Sequence, residues 1–179
     1  MTTGRYDAYR SADAQLTEPG YSKAWISLVA DFTTLNEPTL STIPLIGEKN
    51  IIDTDHVWAT GKEAIPVYIK KEAFEADGES TGDAGSLRLM YSPKIFVIGD
   101  GPVILEMIQN WLNEEMIIFA QDGCGTTKQF VQFGCDCLPV TIQKASVKSG
   151  TLKSGAKGYE ITFESYCKYF YNGTVTEKA

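Results

Sequence analysis

The only histidine, His56, sits in Asp53-Thr54-Asp55-His56-Val57-Trp58. An imidazole flanked by carboxylates has the parts of a general base and its orienting group. No nucleophile stands near it in sequence, and a partly buried, hydrogen-bonded strand histidine is the favoured reading. Cys135-Asp136-Cys137, with Cys124 and Cys167, offers enough thiolates for a zinc ion. Zinc knuckles pair their ligands as Cys-x-x-Cys, however, and neither knuckle is present. On a strand, Cys-x-Cys places both thiols on one face about 7 Å apart. Small buried or half-exposed thiols are favoured over a metal or a disulfide.

Gly99-Asp100-Gly101-Pro102 lies between an apolar run and a helical pattern, where a phosphate loop would stand. It lacks the spacing of either glycine-rich phosphate motif, and Asp100 would repel an anion. Helix capping is the favoured role. Carboxylates cluster at Glu114-Glu115 and at Glu72, Glu75, Asp77 and Glu79, but with 23 acidic residues in 179 some proximity arises by chance. Asn172-Gly173-Thr174 matches a glycosylation acceptor and reads most simply as a turn. No catalytic, cofactor-binding or metal site is expected, and the chain is not expected to be an enzyme.

The elements that position these residues are mostly strands. One amphipathic helix is expected over residues 100–115. Val103, Ile104, Met107, Ile108, Trp111 and Leu112 fall on one face, opposite Glu106, Gln109, Asn110, Asn113 and Glu114. Asp100 is the expected N-cap, with Pro102 in the first turn. Strands are expected over 24–35, 50–53, 56–59 and 64–70, the last at an edge because of Pro66. Further strands are expected over 86–91 and 94–98 around Pro93, then 116–121, 129–133, 139–148, 158–169 and 169–175. Val140, Ile142 and Lys144 are expected to share a face. Along 158–169, Tyr159, Ile161, Phe163, Ser165 and Cys167 oppose Glu160, Thr162, Glu164, Tyr166 and Lys168.

Residues 71–85 are acidic and glycine-rich with one large apolar side chain, which predicts a surface loop. Residues 149–158 repeat Lys-Ser-Gly with their neighbours and read as a flexible hairpin tip. Residues 1–20 read as a flexible arm, leaving 21–179 as one domain. The expected fold class is α+β, mainly β, with one flanking amphipathic helix.

The net charge of -7, with Lys and Arg scattered, argues against a protein that grips nucleic-acid phosphates. It permits a surface past which DNA slides. No apolar run is long enough to span a bilayer, and the start lacks the apolar segment of a signal peptide. Cytoplasmic synthesis and reduced thiols are the expectation.

Several segments together resemble phage tail tube proteins. They are Asp55-His56-Val57-Trp58-Ala59-Thr60-Gly61-Lys62, residues 86–91, and Phe96-Val97-Ile98-Gly99-Asp100 leading into the helix. Met116-Ile117-Ile118-Phe119-Ala120-Gln121-Asp122, Phe133-Gly134 and Gly158-Tyr159-Glu160-Ile161-Thr162-Phe163 complete the likeness, which spans roughly residues 45–165. The resemblance implies a β-sandwich or partly rolled antiparallel sheet with one flanking helix, in a virion structural protein without enzymatic activity or cofactor. Six copies would close into a ring by joining sheets, and rings would stack into a tube in the virion tail. Its partners would be itself, other tail proteins, and DNA passing through the lumen without specific binding; no membrane is implied. The candidate inter-subunit residues are Glu72, Phe74, Glu75, Asp77, Glu79, Leu152 and Lys153, with the 1–20 arm. The candidate lumen-facing residues are Thr141, Gln143, Glu160, Thr162 and Glu164. The alternatives are a tail terminator or head–tail connector ring protein, or a monomeric β-sandwich binding module or adhesin using Tyr166, Tyr169, Phe170 and Tyr171.

Overall fold

The structure is a computed structural model that describes residues 21–42, 45, 47–67, 69–122, 129–148 and 157–177. The expected 1–20 arm, Cys124, Leu152, Lys153 and most of the expected 149–158 tip lie outside those residues. In chain order the strands are β1 (Tyr21–Leu28), β2 (Phe32–Thr34), β3 (Ile51–Ile52), β4 (Val57–Trp58), β5 (Ile65–Val67) and β6 (Ile69–Thr81). They continue with β7 (Arg88–Ile98), β8 (Met116–Asp122), β9 (Gln129–Phe133), β10 (Thr141–Lys148), β11 (Gly158–Glu164) and β12 (Lys168–Tyr171). The α-helix α1 (Pro102–Trp111) links β7 to β8.

Two main sheets form the body. One has six strands in the order β3-β12-β9-β8-β1-β5, the other four in the order β10-β11-β7-β6, and β2 pairs with β4. The chain is therefore α+β and mainly β, sandwich-like, with one helix among the described residues. Alternation explains the core. Ala24, Ile26, Met116, Ile118, Ala120, Val131 and Phe133 from the larger sheet pack with Phe74, Ile95, Val97, Tyr159, Ile161 and Phe163 from the smaller. Ile108 and Trp111 of α1 join that cluster as the helix passes from one sheet to the other. The opposite face of the larger sheet is covered too. Trp25, Ile117, Phe119 and Tyr171 pack there with Ile52 and Ala64, beneath Phe32, Leu35 and Trp58. Met116 to Ala120 are all fully buried because β8 has neighbours on both faces. Pro66 lies at the sheet edge, as its missing donor requires.

Several expectations need correction. Residues 71–85 are not a loop throughout: β6 runs to Thr81 and pairs with β7 from Phe74↔Ile95 to Thr81↔Arg88. Only the tip lies beyond that ladder, with Gly82 and Gly85 at φ 112 and 93, where a side chain would be strained. Pro93 does not split two strands, because β7 is continuous. Its missing N–H instead interrupts the ladder to β11, which runs from Ile98 to Lys94 and resumes at Tyr91↔Ser165.

The expected 24–35 strand breaks at Val29–Asp31, a 3-10 turn. The Asp31 carboxylate there accepts from the Leu28 N–H at 3.4 Å and pairs with Lys62 at 2.8 Å. The expected 158–169 strand ends at Glu164, and the chain crosses at Ser165–Cys167 into the other sheet as β12. Lys144 does not share the face of Val140 and Ile142. A register shift between Ile142 and Lys144 puts Lys144 opposite Thr162 on the outer face. Helix α1 is shorter than 100–115, and Gly101 rather than Asp100 is its N-cap, with no side-chain cap bond. Val103 and Leu112 lie outside its buried stripe.

Gly158 opens β11 where its neighbours come closest. A Cβ there would overlap the Val97 carbonyl and press on the Phe96 ring. The variant Gly158→Ala is expected to lose about 2 kcal/mol by overpacking, read as a lower urea midpoint with an unchanged slope.

Candidate functional site

The outward face of the four-stranded sheet gathers most of the sequence-predicted surface residues. Ladder partners are Thr141↔Glu164, Lys144↔Thr162 and Ser146↔Glu160, then Thr162↔Lys94 and Lys94↔Glu75. Asp77↔Ser92 and Glu79↔Met90 continue the same face along the β6–β7 hairpin. Glu75, Asp77 and Glu79 thus share one face with Thr141, Glu160, Thr162 and Glu164. The expected division between inter-subunit and lumen-facing residues is not a division between surfaces.

Gln143 is the extra residue at the β10 bulge and is exposed there. Phe74 is fully buried in the sandwich core, so it is a core residue rather than an inter-subunit contact. Glu72 lies within β6, and its side chain is outside the described set.

Charge on this face is interspersed. Five carboxylates, Glu75, Asp77, Glu79, Glu160 and Glu164, stand with Arg88, Lys94, Lys144 and Lys148, and Lys148 reaches Glu160 at 3.5 Å. Opposite signs this closely mixed leave little net field to attract a polyanion. In the smaller sheet β10 and β6 each have one partner strand, so both edges are open among the described residues. The hairpin beyond Asp77 is exposed nearly throughout and carries Leu87 and Leu89, which are 61% and 56% exposed.

His56 is held by structure on every side. Its Nδ1 accepts from the Asn36 N–H at 3.0 Å, so the ring proton sits on Nε2, which donates to Gln132 Oε1 at 2.6 Å. Its ring stacks on Tyr171 with centroids 4.6 Å apart and planes within 3°. Burial lowers its pKa below 6.5, outweighing the Gln132 bond and the Asp55 charge that raise it. Asp53 and Asp55 do not orient the ring. They hold the bend at Asn172-Gly173-Thr174, through Asn172 Nδ2 at 2.6 Å and the Thr174 N–H at 2.5 Å.

Asp100 is equally occupied. It pairs with Lys157 at 2.5 Å and accepts from the Tyr159 hydroxyl at 2.9 Å, and Lys157 first, then Tyr159, lowers its pKa. Comparison with family models, curated proteins and solved structures finds no match.

Among the described residues no group of three or more His, Cys, Asp or Glu comes together to hold a metal. None of their helices is long and apolar enough to cross a membrane.

Two features escaped the sequence. The first is a close pair of thiols: Cys135 Sγ and Cys167 Sγ lie 2.9 Å apart, although 32 residues separate them. The second is a shallow recess of about 440 Å³ beside them, lined by Arg88, Tyr91, Tyr166, Cys167, Lys168 and Tyr169 among others. Of the expected aromatic cluster, Tyr166 and Tyr169 reach this recess. Tyr171 is buried against His56, and Phe170 packs on the main core.

Proposed function

We propose that this protein is a virion structural subunit, a tail tube protein that assembles into stacked hexameric rings around a DNA-conducting channel. The observation that carries this reading is the four-stranded sheet, with open edges at β10 and β6 and an outward face of mixed charge. Joining β10 of one copy to β6 of the next would satisfy two rows of backbone groups and continue one sheet around a ring. The shared face carrying Thr141, Glu160, Thr162 and Glu164 would then line a common surface. Its nearly balanced charge suits a wall that neither grips nor blocks DNA. The projecting β6–β7 hairpin, with Leu87 and Leu89 uncovered, would bridge successive rings. Nothing in this scheme calls for a catalytic residue or a cofactor.

Electron microscopy and sedimentation of the purified full chain test it. Long tubes are the expected result. Isolated rings would favour a tail terminator or head–tail connector, and a concentration-independent monomer would overturn assembly altogether. A second reading, a monomeric binding module, draws on the tyrosine-lined recess. It predicts binding in a glycan screen that is lost in Tyr166→Ala, with no larger species at any concentration.

A further inference from the structure

The paired thiols stand independently of assembly. Cys135 follows β9 in a tight turn, its N–H donating to the Leu138 carbonyl at 3.1 Å. Cys167 precedes β12, and its carbonyl accepts from the Gly134 N–H at 3.1 Å and from Ser165 Oγ at 2.8 Å. The Phe133↔Lys168 rung of the β9–β12 ladder follows directly. Both backbones are thus fixed, and they hold the two sulfurs in contact at 2.9 Å. Cys135 is buried, whereas Cys167 is half-buried and lines the open recess, which gives a small reagent a way in.

We propose that Cys135 and Cys167 form a reversible intramolecular disulfide that staples the end of β9 to the start of β12. The oxidant is a small aliphatic disulfide. One cysteine thiolate attacks it, forming a mixed disulfide and expelling one thiolate. The other cysteine then attacks the mixed disulfide at the protein sulfur and expels the second thiolate. One S–S bond is broken and one formed, the two protein thiols are oxidised, and their protons end on the two reduced thiols released. Burial first, then the bond with Cys135, pushes the Cys167 thiol up to about 12. A thiol kept neutral lends no thiolate stabilisation to the reduced state, and exchange quickens as pH rises. The bond would close a loop containing β10, an edge strand of the smaller sheet, and β11 beside it.

The test is incubation of the full chain with oxidised glutathione at pH 8, alkylation of free thiols, and non-reducing peptide mapping. Cys137 shares a tryptic peptide with Cys135, so the exposed Cys137→Ser variant is mapped alongside the parent. The expected result is a 135–167 cross-linked peptide in both, reversed by dithiothreitol and absent in Cys135→Ser. The thermal midpoint of the oxidised form should rise by roughly 5–10 °C, from loop closure in the unfolded chain. Separate glutathione adducts on Cys135 and Cys167, a link through Cys137 alone, or a 135–167 bond without a rise in midpoint would each overturn the proposal.

Discussion

Replacing residues 80–89 by Asn-Gly is expected to abolish tube formation while leaving the subunit folded. Glu79 and Met90 are directly paired, so a two-residue turn can close the shortened hairpin. Tyr91 spends its backbone N–H and carbonyl on Ser165, so Met90 faces its own towards β6, which suits that turn. The excised residues include no fully buried side chain, and the thermal midpoint should move little. What disappears is Leu87 and Leu89, more than half exposed in the single chain. Burying both between rings would contribute about 3 kcal/mol per subunit, which is ~100-fold in an association constant. Sedimentation of the double variant Leu87→Ser, Leu89→Ser checks that figure without altering the backbone. Tubes of normal length from the truncated chain would remove the hairpin from any role in stacking, though not the sheet edges from ring closure.

That hairpin also marks what was legible in the sequence. Residues 71–85 read as a loop because acids and glycines dominate and only Phe74 is large. The strand period was present nonetheless: Phe74, Ala76 and Gly78 alternate with Glu75, Asp77 and Glu79. Small residues suffice on the inner side because the partner supplies the bulk, as where the Tyr91 ring lies 3.1 Å from the position of a Cβ on Gly78. Composition outvoted periodicity, and the strand was set by pairing with β7, a contact across the turn that no single window records. The corner at Ser165–Cys167 was hidden for the opposite reason. Alternation continues unbroken across it, while the chain leaves one sheet for the other.

The candidate site was legible in its parts but not in its grouping. Period two alone puts Thr162 and Glu164 on a polar face, and composition alone marks Glu75 and Asp77 as surface acids. Register decides that they lie on one face, and register depends on the bulge at Gln143 and on the β6–β7 ladder. The Cys135–Cys167 contact had no local signal at all. Cys137, two residues away, is exposed, whereas the neighbour of Cys135 comes from the far end of the β10–β11 excursion.

His56→Ala is expected to cost about 4 kcal/mol. The ring it removes is stacked on Tyr171 and accepts the Asn36 N–H. It also satisfies the Gln132 carbonyl, whose amide is in turn committed to the Gly134 carbonyl at 3.0 Å. Truncation leaves a cavity and strands polar groups on Gln132, which is 1% exposed. The same ring gives the fold a pH dependence of definite sign. Both ring nitrogens are in use, and protonating Nδ1 would set an N–H against the Asn36 N–H. Burial accordingly holds the folded-state pKa below the 6.5 of the unfolded chain. Between those two values the unfolded state binds the extra proton. Stability is therefore full above pH 6.5 and is lost as pH falls through the folded pKa, by at most about 1.4 kcal/mol per pH unit. Urea midpoints measured from pH 7.5 to 5 should show that decline in the parent chain and a flatter profile in His56→Gln. Equal slopes in the two would mean that protonation of this ring does not govern the acid side of the stability curve, whatever the stack contributes at neutral pH.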